Sequence, residues 1–168
     1  ILLIITAILI NSTYLRYYHT AQMILKSCNT DVAEAYFSYY ANDEEAFLKA
    51  AVAYAESYEY RDKADIWVID KNGNPIVSSG GYDVSNFDEM TDYYEALSAE
   101  SKLAMSRTRM PWGEPVMTMS YILTAPDGNS YGAVRYIVSL RDMNRQLGFV
   151  IGIIIVSFLL IIMLMFNS

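Results

Sequence analysis

Apolar residues are concentrated at the two ends of the chain, and polar and charged residues lie between them. The last apolar run, residues 147–166, is twenty residues long and carries no charge. As a helix, at about 1.5 Å per residue, it would match the roughly 30 Å hydrocarbon core of a bilayer. We therefore predict a transmembrane helix over residues 146–168. A buried core helix is the alternative interpretation.

The first ten residues are also apolar, but they are too few to cross a bilayer. Because the sequence begins without Met, we interpret residues 1–13 as the end of a truncated first transmembrane helix. A signal-peptide remnant is the alternative. All 19 acidic and 12 basic residues lie between Arg16 and Arg145. Residues 14–145 are therefore predicted to form one water-soluble domain held between two membrane spans.

The soluble domain begins with a helical pattern. Leu15, Tyr18, Gln22 and Leu25 share one helical face, and no Pro or Gly precedes Gly73. The first membrane helix is thus predicted to continue into the domain as a stem.

A second helix is predicted to start at Asn42. Its first turn is acidic, with Asp43 and Glu44, and Glu45 stands at the capping-box position.

From Ala64 onward the pattern changes to the alternation of strands. Two apolar runs flank residues 71–74, whose Asn-Gly pair indicates a hairpin. A short helix capped by Asn86 follows. Three further strands are predicted over residues 103–110, 115–123 and 131–140, separated by Pro- and Gly-containing turns. The fold class is therefore α+β, with an antiparallel sheet of about five strands.

Composition excludes several classes of function. The acidic excess argues against nucleic acid, which needs a basic face. The single Cys28 and the single His19 exclude an internal disulfide framework, a cysteine metal cluster and a two-histidine metal motif. The chain has no Gly-rich phosphate loop and no Ca²⁺-loop spacing. We predict no cofactor, no metal and no catalytic residue in this chain.

The second half of the chain resembles extracytoplasmic PAS-like sensor domains of the Cache or PDC type. The resemblance lies in the hairpin sequence of residues 66–81, in the aromatic pair of the short helix at 92–97, and in the strands at 113–123 and 131–140. It implies a PAS-like receptor domain outside the membrane, whose transmitter follows the second span. Sensor histidine kinases commonly have this arrangement, and chemotaxis receptors and cyclic-dinucleotide enzymes share it.

Candidate ligand-binding residues follow from strand alternation and from the resemblance. Met119 and Tyr121 on the fourth strand and Tyr136 on the fifth are predicted to face the same layer. The resemblance implies that they line a small-molecule cavity, with Tyr93 and Tyr94 on the covering helix. Alternatively, the strand tyrosines are core residues with satisfied hydroxyl groups.

Three further candidates lie around the third strand. Arg107 and Arg109 face the same side and are placed to bind a carboxylate, or they are surface charges. Trp112, in the following turn, either caps the cavity or packs. Relatives that bind amino acids place an Arg just before the aromatic pair, whereas this chain has Asp92 there. We expect that acid to repel a carboxylate, which leaves amines, neutral molecules and peptides as ligand classes.

The sequence thus predicts the ligand-sensing domain of a membrane receptor, most simply a two-component histidine kinase. The resemblance implies a homodimer that passes a conformational change through its terminal helices. A membrane-anchored adhesion or interaction module without signalling output is the alternative, and sequence beyond Ser168 would separate the two.

Overall fold

A computed structural model of the chain describes residues 2–166. Residues 1, 167 and 168, which the two predicted membrane segments include, lie outside the described residues. The described elements, in chain order, are α1 (Leu2–Ser27), α2 (Thr30–Tyr40), α3 (Glu44–Ser57), β1 (Asp65–Asp70), β2 (Pro75–Ser78), α4 (Thr91–Ser98), β3 (Leu103–Arg109), β4 (Pro115–Thr124), β5 (Ser130–Ser139) and α5 (Arg141–Phe166).

The five strands form one antiparallel sheet in the order β2-β1-β5-β4-β3. The three middle strands are almost entirely buried, because protein covers both faces of the sheet. Met119 of β4 lies opposite Tyr136 of β5, so their side chains point to the same face. The α+β fold with a five-stranded antiparallel sheet is confirmed.

One face of the sheet, which we call the helical face, packs against α1, α2 and α3. Alternate residues of β1, β4 and β5 form its surface. The helices contribute small residues and two phenylalanines, Phe37 and Phe47, whose ring centroids are 5.5 Å apart. The buried sheet residues of this face are Ile66, Val68, Met117, Met119, Tyr121, Leu123, Val134, Tyr136 and Val138.

The opposite face, which we call the α4 face, is covered by α4 and by the segment that joins β2 to α4. Met90, Tyr93 and Ala96 pack on apolar residues of β1, β4 and β5. A second small cluster forms around Trp67, which is fully buried. This face also contains a buried charge, described below.

Helix α1 confirms the prediction of a long stem, but the following segment was not predicted. The chain bends at Cys28 and restarts as α2, with the Asn29 side chain accepting a hydrogen bond from the Val32 amide at 3.3 Å. Leu15 and Leu25 were predicted to share one helical face, but Leu15 is 48% exposed, whereas Leu25 is fully buried. The inward face of the stem is formed instead by Tyr14 and residues further along the helix.

Two predicted helix starts are wrong. Helix α3 is capped by Asp43 and not by Asn42. The Asp43 carboxylate accepts a hydrogen bond from the Ala46 amide at 2.7 Å. Glu45 is therefore not at a capping-box position, and it pairs with Lys49. Helix α4 begins after Met90 and not after Asn86. The backbone of Met90 is left-handed, with φ of 49°.

Helix α5 follows β5 almost directly. It is 26 residues long, and its most apolar stretch has a mean hydropathy of 3.2 with none of that stretch buried in the structure. The interpretation as a buried core helix is therefore wrong. By length and composition, α5 is the one helix among the described residues that is able to cross a membrane. The truncated first span stays a prediction.

The aromatic packing beneath α2 should contribute strongly to stability. Phe37 is fully buried against Phe47 and Tyr54, whereas Tyr39 on the same helix is 73% exposed. We expect Phe37→Ala to lower the free energy of unfolding by about 3–5 kcal/mol, because it leaves a cavity in the core. Chemical denaturation measures this change. Tyr39→Ala is the matched control and should change stability little, and equal losses in both variants would contradict this packing.

Candidate functional site

The eight predicted ligand-binding residues do not meet in one pocket. Met119, Tyr121 and Tyr136 lie on the helical face, whereas Tyr93 lies on the α4 face. The sheet separates the two groups, so α4 does not cover the strand tyrosines as predicted. Tyr94 is 58% exposed beside Tyr93. The strand parity was correct, but the sheet face assigned to the covering helix was not.

The two strand tyrosines have different environments. Tyr121 donates a hydrogen bond to Glu34 of α2 at 2.6 Å. Burial raises the pKa of Tyr121, and the hydrogen bond and charge of Glu34 raise it further. Tyr136 is 1% exposed, and its hydroxyl group has no hydrogen-bond partner among the described residues. The interpretation of a satisfied core hydroxyl therefore fits Tyr121 but not Tyr136.

The remaining candidates lie along the edge strand β3 and the turn after it. The exposed Arg107 donates to the Tyr14 hydroxyl and lies over that ring, 5.2 Å from its centroid. Arg109 donates to the Gly113 carbonyl at 3.0 Å. Trp112 is half-exposed and packs against Tyr82, with 5.5 Å between ring centroids. Arg107 therefore joins the sheet to the stem.

A buried ion-pair cluster occupies the α4 face, and sequence reasoning missed it. Arg135, on the central strand β5, is fully buried. It donates two hydrogen bonds to Asp88, at 2.6 and 2.9 Å, and two to Asp92, at 2.8 and 3.0 Å. Together these use four of the five N–H groups of the guanidinium. Ser120 donates to Asp92 at 2.6 Å, and the ring of Trp67 lies 5.6 Å from the guanidinium carbon.

This cluster changes the interpretation of Asp92. The sequence suggested a free acid able to repel a carboxylate ligand, but in the structure the acid is fully buried and paired with Arg135. Burial lowers the pKa of Arg135, but the two carboxylates raise it by more, so the guanidinium stays charged. Protein groups therefore fill the space between α4 and the sheet. The feature of the sequence that indicates this cluster is Arg135, a charged residue within the apolar run of a central strand.

A second buried acid holds the segment that leads from β2 towards α4. Asp65 accepts hydrogen bonds from the side chains of Ser78 and Ser79, from the Tyr82 amide at 2.9 Å and from the Trp67 ring nitrogen at 3.2 Å. The predicted serine-rich strand end thus supplies donors that replace water around a buried carboxylate. Asp65 therefore fixes the beginning of the segment that joins β2 to α4 over the α4 face.

The end of β5 and the start of α5 are linked to the β3–β4 turn by Glu114. This acid accepts hydrogen bonds from Ser139 at 2.7 Å and from Trp112 at 3.1 Å, and Arg141 lies 3.5 Å away. Burial raises the pKa of Glu114, but these donors and the positive charge lower it by more, so the net pKa is below the ordinary value. Burial and nearby acids raise the pKa of the adjoining Tyr82 to about 12.

Two cavities open on the side of the helices. One, of about 600 Å³, lies where the end of α1 meets the end of α3, and Tyr136 forms part of its wall. The other, of about 540 Å³, lies beside the α2–α3 link and includes Phe47 and Tyr131. The described residues contain no group of three or more His, Cys, Asp or Glu side chains arranged to hold a metal ion.

No protein-family model and no curated protein match the chain. Among solved structures, the ligand-binding domain of the Pseudomonas aeruginosa PAO1 amino acid chemoreceptor PctC, in complex with GABA, is 18% identical, with a TM-score of 0.49 over 81% of this chain. An extracellular ligand binding receptor from Desulfohalobium retbaense DSM5692 is 13% identical, with a TM-score of 0.48 over 75%. The extracellular domain described as that of histidine kinase rpHK1S-Z16 is 17% identical, with a TM-score of 0.47 over 80%.

By their descriptions, the first is a ligand-binding domain, the second an extracellular ligand binding receptor and the third an extracellular domain. The chain spans 65%, 24% and 56% of their respective lengths.

The ion-pair cluster predicts a large effect of removing its cation. We expect Arg135→Met to lower the free energy of unfolding by about 3–5 kcal/mol, because it leaves two buried carboxylates without a partner. Chemical denaturation at neutral pH measures this. Lys49→Met is the matched control, since Lys49 pairs with Glu45 on the exposed surface, and it should leave stability unchanged. A wild-type midpoint for Arg135→Met would contradict the cluster's structural role.

Glu114 predicts a pH dependence of stability. Because its folded-state pKa is lowered, the ionised form stabilises the fold above the ordinary pKa of about 4.5, and this contribution is lost as pH falls through the lower folded-state value. The stability difference between wild type and Glu114→Gln should therefore be largest at neutral pH and shrink below about pH 4.5. Urea denaturation from pH 7 to pH 3 measures it. A difference that is constant across this range would contradict the prediction.

Proposed function

We propose that this chain is the extracytoplasmic sensor domain of a transmembrane receptor, belonging to a two-component histidine kinase. It binds a small molecule or a short peptide and passes a conformational change through α1 and α5 to a cytoplasmic transmitter. Residues 14–145 form the sensor, residues 146–168 the second membrane span, and residues 1–13 the end of the first. The resemblance of the hairpin and strand motifs to Cache-type domains supports the proposal.

The observation that carries the proposal is the direct connection between the sheet and α5. Leu140 is buried, and its amide donates to the Pro115 carbonyl at 2.9 Å, so the residue after β5 is still held by β4. Helix α5 begins at the next residue, and Met143 in its first turn is buried in the same core. A displacement of the sheet therefore moves the start of an apolar helix long enough to cross a bilayer.

The stem provides a second connection to the same sheet. Ala21 and Leu25 of α1 are buried against the helical face, and Arg107 of β3 contacts Tyr14 of the stem. Helices α1 and α5 also contact each other. A ligand that binds more tightly to one arrangement of stem and sheet increases the population of that arrangement, and so changes the relative position of α1 and α5. A change from 1:99 to 99:1 requires a differential affinity of about 5.5 kcal/mol.

A homodimer is part of the proposal, and it rests on the resemblance. Helices α2 and α3 present several large apolar side chains to solvent, among them Tyr39, Tyr40, Leu48 and Val52. Such a surface is compatible with contact to a second copy.

A reporter fusion tests the proposal. The chain, joined through α5 to the transmitter of a histidine kinase with a known output, is exposed in membranes to amino acids, amines, organic acids, nucleobases and short peptides. We expect at least one class to change kinase output and to raise the melting temperature of the sensor, since a ligand that binds the folded state stabilises it by about 2.7 kcal/mol at 100 times Kd. The parent kinase with its own sensor is the control.

The coupling route has its own control within this experiment. Two glycines inserted between Leu140 and Arg141 should abolish the change in kinase output while the ligand still raises the melting temperature. A chain that melts cooperatively but responds to no class would contradict small-molecule sensing. A response that survives the insertion would contradict transmission through α5.

A further inference from the structure

The cavity of about 600 Å³ lies on the helical face, away from the ion pairs of the α4 face. Its walls come from the last turn of α1, the start of α2, the end of α3 with the segment that follows it, and the strand β5. Cys28, Tyr54, Tyr58 and Tyr136 are its most buried polar or aromatic residues. Its volume lies within the range of about 300–1,000 Å³ that is typical of small-molecule sites.

One wall of this cavity contains a polar group that the protein leaves unsatisfied. The Tyr136 hydroxyl is inaccessible, and no described residue meets it with proper hydrogen-bond geometry, although the neighbouring Tyr54 hydroxyl is close enough to raise its pKa. A buried donor or acceptor without a partner costs about 1–3 kcal/mol. Tyr121 lies on the same face in β4, two residues beyond Met119, which pairs with Tyr136, and it has Glu34 as its acceptor. A molecule in the cavity whose oxygen acceptor pushes in between the side chains that cover this hydroxyl would supply a partner for Tyr136.

The other groups around the cavity favour an uncharged occupant. Burial raises the pKa of Tyr54, Tyr58 and Tyr136, and also that of Cys28, so all four are neutral at physiological pH. The Cys28 sulfur lies 4.0 Å from the Tyr58 hydroxyl. Only Glu59 and Lys63 bring charge to the lining, both are exposed, and their charges oppose each other. A charged ligand would therefore lose water without gaining a buried counter-ion.

The position of the cavity connects it to the stem. Ile24 and Ser27 belong to the end of α1, Cys28 lies at the bend that follows, and Asn29 caps α2. The opposite walls belong to α3 and to β5, the strand that continues into α5. An occupant therefore touches both chain segments that lead to the two ends of the domain at the membrane.

We propose that this cavity is a binding site for a small uncharged molecule that combines an aromatic or apolar body with a carbonyl or hydroxyl oxygen. The oxygen accepts the hydrogen bond of the Tyr136 hydroxyl, and the body packs against Tyr54 and Tyr58. The proposal of a signalling role for this site rests on the proposed function; the proposal of binding does not.

The single cysteine of the chain makes the test specific to this site, because any thiol labelling reports on Cys28 alone. The whole chain in nanodiscs is treated with N-ethylmaleimide at pH 8.5, with and without benzamide as the probe. We expect benzamide to slow labelling by about tenfold at ten times its Kd, because only the unoccupied fraction reacts. Benzoate and benzyltrimethylammonium, which have the same ring but carry a charge, should give no protection at the same concentration.

Two matched variants separate the hydroxyl from the cavity shape. Tyr136→Phe removes only the unpartnered hydroxyl and should weaken protection by benzamide by about three- to tenfold, the range expected for one hydrogen bond. Tyr131→Phe removes the other unpartnered buried hydroxyl, which belongs to the second cavity, and should leave protection unchanged. Cys28→Ser with Tyr39→Cys places the thiol on the surface, and its labelling should not respond to benzamide.

Three results would overturn the proposal: no protection by benzamide, equal protection by the charged analogues, or unchanged protection in Tyr136→Phe. The reporter fusion read in parallel distinguishes this proposal from the proposed function. Protection without a change in kinase output supports the site and contradicts its signalling role. A kinase response to other compounds, without protection of Cys28, supports the sensor function and contradicts this site.

Discussion

The pairing of one buried guanidinium with two buried carboxylates determines how this domain is organised. Arg135 occupies the central strand, where an unpaired charge would be very costly, and it recruits Asp88 and Asp92 from the segment and helix that cover the sheet. The same interaction explains why α4 begins directly after Met90: Asp88 is held by Arg135, and the Asp88 carboxylate also accepts the Met90 amide at 3.2 Å. The position of α4 is therefore determined more by the pairing of Arg135 with its carboxylates than by a capping residue at the start of the helix.

The two faces of the sheet therefore have different roles. On the α4 face, charged and polar groups are paired with one another, and Asp65 holds the connecting segment from the other end. On the helical face, the contacts are mainly apolar and aromatic, two cavities remain, and the Tyr136 hydroxyl lacks a partner. Apolar contacts are not directional, so helices can shift on such a surface more readily than a shared guanidinium can release its carboxylates. Because α1 belongs to this layer of helices, motion there reaches the far end of the stem.

The sequence predicted those features that depend on local chemistry. The Asn-Gly turn, the alternation along β4 and β5, the stem and the charge-free helix were all read correctly, since each follows from spacing of a few residues. The break at Cys28 was missed because neither Gly nor Pro marks it, and only the Asn29 cap signals the restart. The side of the sheet that α4 covers, and hence the separation of Tyr93 from Tyr136, depends on pairing between residues more than forty positions apart. Arg135, within an apolar strand, is the residue that indicates this pairing. It was interpreted as part of a family motif and not as a buried charge.

The ion pairs fix the α4 face, whereas the layer of helices on the other face is the part of the domain that is able to move. Hydrogen exchange of the whole chain in nanodiscs, followed by mass spectrometry of its peptides, measures this difference, because exchange reports the free energy of local opening. We expect slow exchange for the amides of β4, β5 and residues 90–98, and faster exchange for residues 24–32 and 54–63 around the end of the stem. Arg135→Met should accelerate exchange selectively in residues 90–98. If exchange in residues 90–98 of the unmodified chain is as fast as at the end of the stem, the ion pairs do not fix the α4 face.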